Sequence, residues 1–228
     1  MKKVYAPGCA LMVYKPALAA EVQAFLQSGG ENMPLYTACC RHAPHLTEGT
    51  QVINTCAGCD RRFREQYVSL TTISLWEVLA EDENFPFPDY GGQKMTIHDA
   101  CPTRTESRVH EALRRLLRRM NISVIEAAAT RGTAVCCGDT FYGILPVAEV
   151  KERMRERAEA MPEQEVVVYC VSCIKSMHIG GKTPRYIVDL LFGENTEIGT
   201  YEPDEWHEEL NRYIDTEGNP ARASGRDK

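Results

Sequence analysis

Ten of the 228 residues are cysteines, and their order repeats: Cys9, Cys39, Cys40, Cys56 and Cys59, then Cys101, Cys136, Cys137, Cys170 and Cys173. Each set runs Cys, then Cys-Cys, then Cys-x-x-Cys, with spacers of 29 and 15 residues in the first set and 34 and 32 in the second. A Cys-x-x-Cys turn puts two sulfurs on one metal. The simplest zinc site would pair Cys56 and Cys59 with one or two cysteines of their own set, and it leaves sulfurs over. Adjacent cysteines, as in "AVCCGD", can neither bridge each other comfortably nor sit in one ordinary zinc tetrahedron. A cluster of several irons removes both objections, because neighbouring thiolates can bind different irons and soft sulfur ligands favour iron-sulfur centres. Gly138, directly after Cys137, is then expected to let backbone approach a bulky inorganic group or to take a positive φ beside it. Arg41 stands at the matching position of the first set.

The elements that must position these thiols repeat as well. "VYAPGCALM" matches "TIHDACPTR", "QVINTCAGCDRRF" matches "VVVYCVSCIKSM", and "TTISLWEVLAED" matches "TPRYIVDLLFGEN". The pattern predicts an internal duplication of about 95 residues, too long for a solenoid period and suited to two pseudo-symmetric lobes. The expected limits are 1–90 for the first lobe, 91–196 for the second and 197–228 for a C-terminal helix and a disordered tail, with a linker in "EDENFPFPDYGGQK", residues 81–94. "MTIHDA", "ISVIEAA" and "EVVVYC" read as short buried strands. "SRVHEALRRLLRRMN" carries Val109, Leu113, Leu116, Leu117 and Met120 at helical spacing. The fold class expected is α/β, each lobe a small, mostly parallel sheet with flanking helices and the cysteines at strand ends, where such folds build sites. "PVAEVKERMRERAEAMPEQ" reads as an exposed charged helix that the first lobe lacks, so the first site is expected to be less shielded. Residues 203–214 read as a helix with Trp206, Leu210 and Tyr213 on one face, Trp206 in the core.

Composition is that of an ordinary globular chain, 43% hydrophobic with a formal charge of -6. That balance argues against nucleic acid or an anionic membrane as partner, and the stripe Arg114, Arg115, Arg118 and Arg119 reads as the solvated face of a helix. The N-terminus carries no secretory h-region, and no apolar run reaches the ~20 residues that cross a bilayer. A cytoplasmic location without direct membrane insertion is expected, and thiols in a reducing compartment mark metal or redox chemistry rather than disulfides.

In these motifs the chain resembles the cysteine-rich CCG domains found in the disulfide-splitting subunit of heterodisulfide reductases and in related iron-sulfur subunits of lactate and glycolate oxidases. The resemblance spans residues 3–195. It is specific in the second lobe, through "HDACP", "VCCGD" and "YCVSC", and looser in the first, where "PGC" and "CAGC" match but "CCRH" and the short spacer depart. It implies two noncubane [4Fe-4S] clusters, one on Cys9, Cys39, Cys40, Cys56 and Cys59 and one on Cys101, Cys136, Cys137, Cys170 and Cys173, with a small-molecule disulfide reduced, or two thiols oxidised, between them. The altered first lobe leaves zinc there as an alternative. The chain would then be a non-catalytic electron-transfer subunit with one cluster and a structural zinc.

Protons for the product thiols point to His42, beside the first Cys-Cys pair, and His98, three residues before Cys101. Arg41 and Arg104 are candidates for an anionic group on the substrate. No ferredoxin-type cysteine run and no G-x-G-x-x-G occurs, and "HIGGKTP" reads as a turn rather than a P-loop. Electrons are therefore expected from partners, a ferredoxin-like iron-sulfur subunit and a flavin-containing input subunit.

Overall fold

A computed structural model describes residues 2–200 and 202–220. The chain is α/β, and it divides into two compact units, Met1–Val78 with His207–Lys228, and Leu79–Trp206. These limits differ from the sequence-based ones at 90 and 196: residues 79–90 belong with the second unit and 207–220 with the first.

The first unit opens with β1 (Lys3–Ala6), α1 (Cys9–Tyr14) and α2 (Pro16–Gln27), then β2 (Gln51–Asn54), α3 (Ala57–Gln66), β3 (Thr71–Ser74) and α4 (Leu75–Glu81), through which the division runs. Pro16 starts α2, where its missing N–H costs nothing and its fixed φ suits the helix. The sheet order is β1-β2-β3, all parallel, with Val4 opposite Val52 and Ile53 opposite Ile73. Leu35 adds a single parallel bridge to Tyr5 on the free side of β1.

The second unit contains β4 (Lys94–His98), α5 (Ser107–Arg119), β5 (Ser123–Glu126), α6 (Val147–Glu159), β6 (Glu165–Val168), α7 (Val171–Ile179), β7 (Thr183–Tyr186) and α8 (Ile187–Leu191), and it leads into α9 (Pro203–Asp215). Its parallel sheet runs β5-β4-β6-β7. Replacing β5 by the Leu35 bridge gives the order of the first sheet, so the duplication read from the cysteines is also a duplication of topology. Val166, Val167 and Val168 are fully buried, because helices cover both faces of a parallel sheet.

Several expectations change. The arginine stripe of α5 is a solvated face only at Arg115 and Arg118. Arg114 is buried and paired with Asp99 at 2.7 Å and Glu126 at 2.7 Å, Arg115 pairs with Glu81, and the Arg119 guanidinium lies 4.1 Å from the centre of the Phe87 ring. Residues 81–94 are not a free linker. The Phe85 ring packs on Phe87 at 4.7 Å and on Phe192 at 5.7 Å, and the Tyr90 hydroxyl donates to the Leu190 carbonyl at 2.8 Å. Burying one such ring stabilises by roughly 2 kcal/mol, enough to hold a proline-rich strap down. In α6 the charged pattern hides an inward stripe, Val150, Met154 and Ala158. On α9, Trp206, Leu210 and Ile214 are buried, and Tyr213 is only partly so. The expected tail divides: Gly218 is held by the Tyr213 carbonyl at 2.8 Å, and residues 221–228 lie outside the described residues.

Candidate functional site

The five cysteines of each unit come together, and all ten are free thiols. In the first unit, Gly8 turns the chain out of β1 at φ 82, and Cys9 begins α1. Cys56 stands at the N-cap of α3 and Cys59 lies in its first turn, near backbone N–H groups that help lower the Cys56 thiol. Cys9 Sγ stands 3.8 Å from Cys39 Sγ. From there the contacts run Cys39 to Cys40, Cys40 to Cys59 and Cys59 to Cys56. In the second unit Cys101 follows β4, Cys170 caps α7 and Cys173 sits in its first turn. The contacts there run Cys101 to Cys136, Cys136 to Cys137, Cys137 to Cys173 and Cys173 to Cys170. Position for position, the two nests have the same order.

In each adjacent pair the first cysteine is shifted down and the second up. Hydrogen bonds from Cys40 and Cys9 bring Cys39 down to about 3, helped by the Arg41 N–H and charge. Those from Cys101 and Cys137, with Thr140 and the Gly138 N–H, hold Cys136 far below the usual thiol range. Cys9 and Cys101, sharing a proton with these thiolates and buried, are pushed up in turn. A cysteine partner also lowers Cys56, to about 7 against its burial, through the Cys59 hydrogen bond.

Two further observations concern what the nests can hold. Four buried side-chain atoms lack a hydrogen-bond partner among the described residues, and two of them, the Tyr36 hydroxyl and His98 Nε2, belong to side chains that face these sulfurs. A ring nitrogen of His98, Cys137 Sγ and Cys173 Sγ lie within 4.8 Å of one another and form a candidate metal-binding group. At Gly8 a Cβ would come 2.8 Å from Cys56 Cβ and 3.4 Å from Cys59 Sγ, so the close approach and the positive φ both require glycine. The donor set is soft, crowded and short of partners, and it fits a sulfur-ligated metal group better than a packed apolar core.

Gly138 takes the positive φ expected of it, but the group it makes room for is a helix. Its Cβ would lie 2.8 Å from Met154 Cγ and 2.9 Å from Met154 N, so the glycine (φ +108) admits the backbone of α6. Gly180 serves the other side of that helix, where a Cβ would fall 2.1 Å from Ala158 Cβ. The first unit has no α6, which explains why Arg41 is tolerated after Cys40. Nor is the first nest left unshielded: the end of α9 and residues 216–218 take the place of the missing helix. The Cys39 N–H donates to the Gly218 carbonyl at 2.8 Å, a Cβ on Gly218 would sit 3.2 Å from Cys39 Cβ, and His42 Nε2 donates to the Ile214 carbonyl at 2.8 Å.

His42 is thus a tether. His98 is buried, accepts an N–H from Arg157 at Nδ1 (3.2 Å), and is driven down to about 3 by burial and then by the Arg157 charge, so it stays a neutral ring. Arg104 gives its Nε to the Ala134 carbonyl at 2.5 Å, bracing the loop ahead of Cys136, and Arg41 Nη1 reaches Asn211 at 3.4 Å. The sequence reading missed Tyr36, Asp99, Arg157 and Tyr169. Asp99 receives two N–H bonds from Arg114 at 2.7 Å, and the Tyr169 hydroxyl accepts the Ala100 N–H at 2.7 Å; together they fix the loop that carries Cys101. Arg157 was legible as a residue on the inward face of α6, in step with Val150 and Met154.

An open pocket of about 600 Å³ adjoins Cys136 in the second unit, walled by Val135, Phe141, Ile144 and Leu145, with Arg157 in its lining. Ile144 is 74% exposed and Val135 52%.

No protein-family model and no curated protein matches the chain. Among solved structures, glutamate racemase isoform RacE1 from Bacillus anthracis is similar at a TM-score of 0.37 and 11% identity, covering 94% of this chain and 83% of that one. Similarity at that level carries no argument about function. Among the described residues, no helix is long and apolar enough to cross a membrane.

Proposed function

We propose that the chain is the disulfide-reducing iron-sulfur subunit of a larger oxidoreductase, with a noncubane [4Fe-4S] cluster on each nest of five cysteines. The observation that carries the reading is the pair of thiol nests with one contact order, Cys9-Cys39-Cys40-Cys59-Cys56 and Cys101-Cys136-Cys137-Cys173-Cys170. Each nest links five sulfurs in a row, one more than tetrahedral zinc takes. Clusters bound there would supply the electrons for RSSR′ + 2 e⁻ + 2 H⁺ → RSH + R′SH, one from each.

The chain's own residues do the rest. Gly8 leaves room beside Cys56 and Cys59, α6 and the Gly218 segment cover part of each nest, and the Asp99–Arg114 pair holds the Cys101 loop. The pocket beside Cys136 offers an apolar approach for a low-molecular-weight disulfide. The neutral His98 and the Tyr36 phenol, which burial raises to about 12, keep their protons near neutral pH and offer N–H and O–H donors to sulfur. With no dinucleotide fingerprint and no ferredoxin-type run in the sequence, electrons enter from a ferredoxin-like iron-sulfur subunit fed by a flavin-containing one.

The test is iron, zinc and acid-labile sulfide in protein purified without oxygen, beside Cys39→Ala and Cys136→Ala. About eight irons per chain, halved in each variant, is the expected result. Iron lost only with Cys136→Ala, together with zinc in the wild type, would leave a one-cluster electron carrier. Zinc alone would sink the proposal.

A further inference from the structure

The two nests have the same thiols but different charge around them. In the second unit Arg157 is 4% exposed, and among the described residues it has no carboxylate within salt-bridge distance. Its Nε donates to His98 Nδ1 at 3.2 Å and its Nη2 to the Ala129 carbonyl at 2.8 Å. The carboxylate of Asp99 is taken by Arg114, bidentate at 2.7 Å. A buried guanidinium needs a counter-charge, since an uncompensated buried cation costs several kcal/mol. The sulfurs of Cys137 and Cys173, in one cluster with His98, are the groups placed to supply it.

His98 completes the link. A guanidinium can only donate, so Nδ1 uses its lone pair on Arg157 and the neutral ring carries its proton on Nε2. That nitrogen is buried and unpartnered among the described residues. Its chemistry is that of an N–H donor to sulfur rather than a metal ligand.

The first nest has neither a buried cation nor a histidine at the matching position; Arg41, whose charge acts on Cys39, is exposed. Counting back three residues from Cys9, as His98 stands from Cys101, gives Ala6, 3% exposed. The side-chain donor facing those sulfurs is the phenol of Tyr36. Among the described residues the buried charged side chain of the first unit is Asp60, next to Cys59, and it pairs with Arg64.

We propose that Arg157, acting through His98, is the built-in counter-ion of the second centre and makes it the more easily reduced of the two. The inference rests on the reading that both nests hold clusters. A fixed cation and an N–H···S donor both favour the form of a cluster carrying the extra electron. The two centres would then differ in potential by construction, the second acting as the electron sink. Arg157 and His98 are positioning residues, tuning a centre whose ligands are the cysteines.

The experiment uses the full chain purified without oxygen, as wild type, Arg157→Met, Arg157→Lys and His98→Gln, with Cys136→Ala to assign the centres. Iron content is measured first, then reduction potentials by optical titration, then coupling of exchangeable protons to the paramagnetic cluster after transfer to D₂O. The expected result is two separate potentials in the wild type, the higher one missing in Cys136→Ala. Arg157→Met should keep wild-type iron and lower that potential alone, with Arg157→Lys restoring most of it. His98→Gln should keep its iron and change the exchangeable-proton coupling of the second centre. Coincident wild-type potentials, or an unmoved second potential in Arg157→Met, would overturn the inference with the cluster reading intact. Loss of the second centre's iron in His98→Gln would make His98 a ligand and overturn it as well. Absence of iron from the wild type would overturn the cluster reading and this inference together.

Discussion

Gly138→Ala tests the packing of the second nest most sharply. Alanine there must adopt φ +108, outside the comfortable range of an L-residue, which costs about 1–2 kcal/mol. Its Cβ would also stand 2.9 Å from the Met154 nitrogen and 3.2 Å from the Arg153 carbonyl carbon. Both are backbone atoms of α6, so no side-chain rotation relieves the contact and the helix must move. Overpacking of this kind costs about 1–3 kcal/mol. The two together give about 3 kcal/mol, and with a urea slope of ~3 kcal/mol/M the midpoint falls by about 1 M. Urea unfolding followed by the fluorescence of buried Trp206, in a Trp76→Phe background, reads the second unit. If the nests hold clusters as proposed, displacement of α6 should also strip iron from the second and leave the first loaded. Arg41→Ala, at the exposed matching position, is the control and should shift the midpoint by less than about 0.5 kcal/mol in equivalent free energy. A Gly138→Ala midpoint within error of wild type would refute the argument that α6, rather than a bound group, demands the glycine.

Three other variants test the structure, the first of them on the proposed cluster reading. Gly218→Val presses on Cys39 Cβ and the Tyr213 carbonyl, both 3.2 Å from the position of its Cβ, and should lower iron at the first centre alone in a metal assay of single-nest variants. Asp99→Asn leaves the buried Arg114 without a full counter-charge and should cost about 3–5 kcal/mol in urea unfolding. Asp99 also sets an acid limit. Burial alone would raise its carboxyl, but the hydrogen bonds and charge of Arg114, with Thr130 and the Arg131 N–H, hold it well below the usual range. A depressed carboxyl contributes stability that is fully present above its unfolded value of ~3.9 and is lost as pH falls through the folded one, so Asp99→Asn should flatten the stability profile between about pH 4 and 2. Trp206→Ala should cost about 3–5 kcal/mol, because its ring is buried, its indole N–H donates to Ser172 at 3.0 Å and Lys175 lies 4.6 Å over it.

Much of the fold was legible because the signals were redundant. Valine-rich "EVVV" can only be a strand covered on both faces, and the period of Val109, Leu113, Leu116 and Leu117 can only be a helix with one buried side. Assembly of each thiol nest was legible for the same reason, since strand-end cysteines and a Cys-x-x-Cys at a helix start converge in a parallel sheet. The errors came where a residue's role is set by a partner distant in sequence. Arg114 looked solvated because its charge suggested it, and Asp99 and Glu126 were not visible as its partners. Gly138 was assigned to the inorganic group because Met154 was not known to touch it. Residues 81–94 read as a linker by their prolines and glycines, while Phe85 and Phe87 carried the opposite signal.

The guard over the first nest comes from the far end of the described chain, and that has a consequence for biogenesis. A ribosome releases all five thiols of the first nest before residue 60, yet the carbonyls of Ile214 and Gly218 that receive His42 and Cys39 emerge more than 150 residues later. The second nest has its own cover, α6, between Cys137 and Cys170. Synthesis therefore completes the second nest before the first, and the N-terminal cysteines lack their cover during translation. That interval is a window for a metal-delivery partner to reach the first nest, and equally one in which oxidants reach Cys39.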